Sequence, residues 1–133
     1  MSTPVRNQSP ATLRLVRYAM LTFLLIFGGI AYWQSTHRAG PPDPEAPLAA
    51  FRWVGLGLCV AAMFAITAFR GIRARAEAPA RFTWSLAGSA LAEGVTLFGA
   101  VSMFIGGDIW VYALGLLIFL ASWGILPADP DAA

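Results

Sequence analysis

Four apolar runs dominate this chain, each near the ~20 residues that an α-helix needs to cross a bilayer. They cover residues 15–33, 48–69, 82–105 and 109–126, and only Arg52 interrupts the second near its start. Short segments rich in Pro, Gly or Arg separate them. The chain has 133 residues, of which 58% are hydrophobic and 12% charged. An ordinary soluble domain carries about 25% charged residues. That imbalance, with a mean hydropathy of +0.66, leaves few soluble folds open. The expected class is all-α: one integral membrane domain, a four-helix bundle in contact with the lipid bilayer.

The first run begins beside Arg14 and Arg17, as the apolar core of a signal peptide would. It is longer than such a core, and no small-x-small cleavage site follows Tyr32, Trp33 and Gln34. A retained helix is the expectation. All nine basic residues are Arg. Arg6 and Arg14 precede the first run, Arg17 lies at its start, and Arg70, Arg73, Arg75 and Arg81 lie between the second and third. By the positive-inside rule both termini and an arginine loop at residues 70–81 face the cytoplasm. The expected location is therefore a multi-pass protein, with a bacterial inner membrane as the compartment. Trp33, Trp53, Trp84, Trp110 and Trp123 fall near the ends of the runs, where aromatic belts form.

The connections have their own physics. Residues 39–47 carry Pro41, Pro42, Pro44 and Pro47. Proline lacks the backbone donor that a helix needs, so an extended outer loop is expected. Gly106 and Gly107 have the φ freedom for a tight hairpin, which makes the third and fourth helices antiparallel neighbours. Residues 127–131 read as a frayed tail.

Several chemistries are absent from the pattern. The single Cys59 allows no internal disulfide. His37 is the only histidine and sits before the Pro-rich segment, where a solvated surface position is expected. No metal-ligand spacing, phosphate loop or catalytic set occurs, so no metal, cofactor or catalytic residue is expected. A net charge of +2, with its arginines beside the apolar runs, does not suggest nucleic acid.

One residue stands apart. Glu93 is the only ionisable residue between Phe82 and Ile105. An ionised carboxylate at mid-bilayer costs about 2.5–3.5 kcal/mol on insertion scales, so such a residue is a functional-site hypothesis by default. Ser85, Ser89, Ala92, Thr96 and Gly99 recur at helical spacing beside it, with Gly88 and Ala100 adjacent. Leu91, Val95, Phe98 and Phe82 take the opposite side. Small stripes let membrane helices approach closely, so the stripe should face other helices. The second run offers Gly57, Ala61 and Ala65, and the expected packing sets these against Ser89, Ala92 and Thr96. With no arginine at mid-depth, desolvation favours the neutral acid. Three roles follow for Glu93, with Ser89 and Thr96 as candidate partners. It can be a proton- or ion-binding site, a packing hydrogen bond, or a charge partner for another subunit.

The segment Glu93, Thr96, Phe98, Gly99 resembles the ion-carrying helix of the proteolipid (c) subunit of rotary ATPases. The arginine-containing stretch before it is similar to that family's polar cytoplasmic loop. The resemblance covers about one helix and a loop. It implies a carboxylate able to carry a proton or sodium ion, without implying full-length membership. Only Gly55 and Gly57 remain of the family's alternating-glycine helix, and the carboxylate lies on the third run rather than an even-numbered one.

Two functions are expected to compete. The first is a non-catalytic subunit, or an assembly or stabilising component, of a larger membrane complex. The second is an oligomeric proton- or ion-coupled channel or transporter that uses Glu93. Expected partners are other membrane subunits or further copies of the chain.

Overall fold

The computed structural model describes residues 9–40, 47–106 and 108–129. They form an all-α four-helix bundle: α1 (Pro10–Thr36), α2 (Leu48–Arg75), α3 (Ala78–Phe104) and α4 (Trp110–Ile125). The first three are long and apolar enough to cross a membrane. At 16 residues, α4 spans only about 24 Å, against a hydrocarbon core of about 30 Å. It is shorter than its apolar run, and Pro127 follows directly after Leu126.

Helix ends differ from the expected boundaries for local reasons. Ser9 caps α1, its hydroxyl accepting from the Thr12 amide at 3.3 Å, with Pro10 in the first turn where its missing N–H is harmless. No arginine loop forms at residues 70–81. Arg70, Arg73 and Arg75 continue α2, because Arg and Ala are strong helix formers. Only Ala76 and Glu77 separate α2 from α3, which tolerates Pro79 in its first turn. Gly106 turns the α3–α4 hairpin with φ +113°; Gly107 and most of the Pro-rich loop, residues 41–46, lie outside the described residues.

Helix α3 is the centre of the bundle. Half of its apolar window is buried, against 22% for α1 and for α2. It packs on all three other helices, while α1 lies on α3 rather than on its sequence neighbour α2. The small-residue stripe of α3 is buried, with Ser85, Gly88, Ser89, Ala92, Thr96, Gly99 and Ala100 all inside.

At Thr96 and Gly99 the partner of that stripe is α4 rather than the expected face of α2. A β-carbon on Gly99 would come within 2.6 Å of the Tyr112 Cα, and one on Gly115 within 2.8 Å of the Thr96 Cα. Side chains of α4 and of Leu126, directly after it, also enter glycine notches on the other helices. Tyr112 lies over Gly28 of α1, Val111 over Gly55 of α2, and Leu126 over Gly88 of α3. The Tyr112 hydroxyl donates to the Leu24 carbonyl at 2.9 Å, tying α4 to α1.

Helix α2 packs on the Val95 and Phe98 side of α3, opposite the small-residue stripe. Val95 is buried there in a cluster with Cys59, Ala62 and Ile66 of α2. Phe51 meets Phe98 with ring centroids 5.8 Å apart, and Phe69 meets Trp84 at 5.0 Å. The inward stripe of α2 is Gly55, Cys59, Ala62, Ile66 and Arg73. Gly57 and Ala61 are exposed and Ala65 is half-buried, and among the described residues nothing outside its own helix lies within 4 Å of a β-carbon placed on Gly57. The expected contact of Gly57 and Ala61 with α3 is therefore not made within this chain. The short hairpin explains the exchange: it holds α4 beside α3, and α4 claims the surface that permits the closest approach.

Candidate functional site

Glu93 lies at the margin of α3's buried arc and is half-buried. Its helical neighbours divide. Ser89, Ala92 and Thr96 face inward, while Ala90, Leu91 and Gly94 are exposed. One turn before it, Ser89 accepts from Arg17 of α1, so α1 flanks this edge. The Glu93 carboxylate forms no hydrogen bond or ion pair with any described residue.

The two hydroxyls expected to join Glu93 are committed elsewhere. Thr96 Oγ1 donates to the Ala92 carbonyl at 2.8 Å, and Ser89 Oγ donates to the Ser85 carbonyl at 3.1 Å. Of the segment that carries the proteolipid resemblance, Gly99 abuts the backbone of α4. Phe98 meets Phe51 of α2, so these four residues do not converge on one point.

A second polar centre lies where α1, α2, α3 and the end of α4 meet, at the arginine-rich end of the bundle. Arg17 and Arg73 are both buried, at 3% and 6% exposure. Arg17 Nε donates to Ser89 Oγ at 3.0 Å, and Arg17 Nη2 to the Leu126 carbonyl. Arg73 Nε donates to Ser85 Oγ at 3.1 Å, and its Nη2 to the Pro127 and Asp129 carbonyls at 3.1 and 2.8 Å. The shortness of α4 accounts for this clamp. The carbonyl of its C-cap residue, the fully buried Leu126, ends inside the bundle, where an unpaired backbone group is costly. A guanidinium brings both the missing donors and a positive charge to the negative end of the helix dipole. Residues 127–129 are accordingly held rather than frayed; residues 130 and 131 lie outside the described part.

The opposite end is tied similarly. Arg38 donates to the Ile105 carbonyl at 3.2 Å and to Phe104, covering the end of α3, and Arg52 pairs with Asp108. His37 is exposed and its Nδ1 lies 3.0 Å from the Trp33 carbonyl.

The arginine clamp is what reading the sequence missed. In the sequence Arg17 and Arg73 read as topology signals, yet each falls in register with its helix's inward stripe. Arg17 is four residues after Leu13 and seven before Leu24; Arg73 is seven after Ile66. That register, with two serines on α3 to receive them, was the available signal. No protein-family model, curated protein or solved structure matches the chain.

Proposed function

We propose that the chain is a non-catalytic component of a larger membrane assembly, joined to its neighbour along the α3 edge that carries Glu93. The single observation that carries this reading is the position of Glu93. The carboxylate is half-buried, meets no donor among the described residues, and borders a face that a bilayer would cover. Leaving it ionised in hydrocarbon costs about 2.5–3.5 kcal/mol. A donor on an adjacent transmembrane helix removes that penalty. Ala90 and Gly94 expose little side chain beside it, which lets another helix come close enough to supply one. The outward Gly57 and Ala61 on α2 offer a second surface of the same kind. Engagement of Ser89 and Thr96 within the bundle favours this reading over ion coordination inside one chain.

The test is the mass of the particle in mild detergent. Wild type is expected to run as a complex or a discrete oligomer. Glu93→Leu should release it as a monomer with unchanged helical circular dichroism, and Glu93→Gln should retain association through a neutral hydrogen bond. A monomeric wild type, or a Glu93→Leu protein of unchanged size, would refute the proposal. Proton flux from a reconstituted homo-oligomer, abolished by Glu93→Gln, would favour the ion-coupled alternative.

The arginine asymmetry supports a cytoplasmic position for the end that holds Arg17, Arg73 and Arg81. Thiols introduced at Thr36 and Ala78, at opposite ends of the bundle, should react with impermeant reagents from opposite sides. Labelling of both from one side would overturn the orientation.

A further inference from the structure

Between the first turns of α1 and the last turn of α4 lies a recess of about 230 Å³, lined by Arg14, Arg17, Tyr18, Trp123, Pro127 and Asp129 among others. Its side-chain chemistry is dominated by donors. Arg17 engages Nε and Nη2 with the protein, and a guanidinium carries five N–H groups, so donors remain. Arg14 is exposed. The Trp123 Nε1–H is shielded from water and has no hydrogen-bond partner among the described residues. A buried donor without an acceptor costs about 1–3 kcal/mol, and Trp123 is one of the residues that line the recess. Tyr18 and Trp123 meet edge to face, with centroids 5.2 Å apart, the residue types that settle at headgroup depth. Asp129 is the acid on the lining; it lies beside Arg73, and the two arginines leave the lining net basic.

We infer that this recess binds a phosphate group at the membrane surface, with Arg14, Arg17, Tyr18 and Trp123 as its donors. The group can come from an anionic phospholipid headgroup or from free phosphate. Tyr18, on the lining, is exposed on α1, so a headgroup can reach the recess along that helix while its chains stay in the bilayer. Basic pockets between transmembrane helices recognise anionic headgroups in this way. The inference is independent of the role of Glu93.

Arg14 and Trp123 allow a test that spares the clamp, because neither supplies its hydrogen bonds to the Leu126, Pro127 and Asp129 carbonyls. Full-length protein in dodecyl maltoside is incubated with dioleoyl phosphatidylglycerol or dioleoyl phosphatidylcholine, and retained lipid is read by native mass spectrometry. Wild type should retain the glycerol lipid preferentially. Arg14→Gln should lower that retention about fivefold, the scale of one interfacial arginine's attraction. Trp123→Phe should lower it too, and phosphatidylcholine should be indifferent to both changes. Displacement by millimolar inorganic phosphate, but not by chloride at equal ionic strength, would identify free phosphate as the source. Resistance to both would identify the lipid. Equal retention of the two lipids by wild type, or unchanged phosphatidylglycerol retention in Arg14→Gln, would overturn the site.

Discussion

Gly99→Ala is expected to separate α3 from α4 and to lower stability by about 3 kcal/mol, the upper range for overpacking a well-filled interior. The new methyl group would stand 2.6 Å from the Tyr112 Cα and 2.7 Å from the Val111 carbonyl carbon. These are backbone atoms, so no side chain can rotate away and the whole helix must move. Moving α4 also withdraws Tyr112 from Leu24 and Val111 from Gly55. Gly57→Ala is the matched control. It brings the same gain in helix propensity, at most about 1 kcal/mol, into open space. Heat or dodecyl sulfate unfolding, followed by circular dichroism in detergent, should rank Gly57→Ala at or above wild type and Gly99→Ala well below it. Equal midpoints for the two variants would mean that the α3–α4 approach is looser than described.

Arg17→Met is expected to loosen the end of α4. Two effects oppose each other. The substitution relieves the desolvation of a buried cation, which in some proteins outweighs the ion's interactions. It also deletes charge-assisted bonds worth about 1.5–3 kcal/mol each and leaves the Leu126 carbonyl without its donor. The loss should prevail, because α4 is too short to bring that carbonyl to water and lipid offers no replacement. A net destabilisation of about 2–3 kcal/mol follows. Faster hydrogen exchange should be confined to the last turn of α4 and the residues after it. Arg17→Lys should fall between wild type and Met, since an ammonium cannot reproduce the planar two-pronged contact with Ser89 and Leu126. A Met variant as stable as wild type would show that desolvation, not the clamp, dominates.

Glu93 and the arginines divide what was legible in the chain from what was not. The isolated carboxylate was visible at once, because nothing else between Phe82 and Ile105 ionises. Its surroundings were not. Ser89 and Thr96 share its side of the helix by spacing, yet spacing does not say where a hydroxyl donates, and both donate to carbonyls of their own helix. Arg17 and Arg73 looked like markers of orientation because arginines beside apolar runs commonly are. Their inward aim depends on where α4 stops, a property of another segment altogether.

The sequence by itself determined the class and count of elements. Apolar runs near bilayer length fold as helices whatever surrounds them, since in hydrocarbon each backbone group must find a partner within its own segment. It also determined that α3 would be buried along Ser85, Ser89, Ala92, Thr96 and Gly99, because only small residues permit close contact there. Which helix fills that groove was decided by the tertiary structure alone. Gly57 and Ala61 of α2 and Gly115 of α4 are equally small on paper, and van der Waals packing between membrane helices rewards any good fit. The tight turn at Gly106 placed α4 first, Tyr112, Val111 and Leu126 found glycine notches on three helices, and Gly57 and Ala61 were left facing outward.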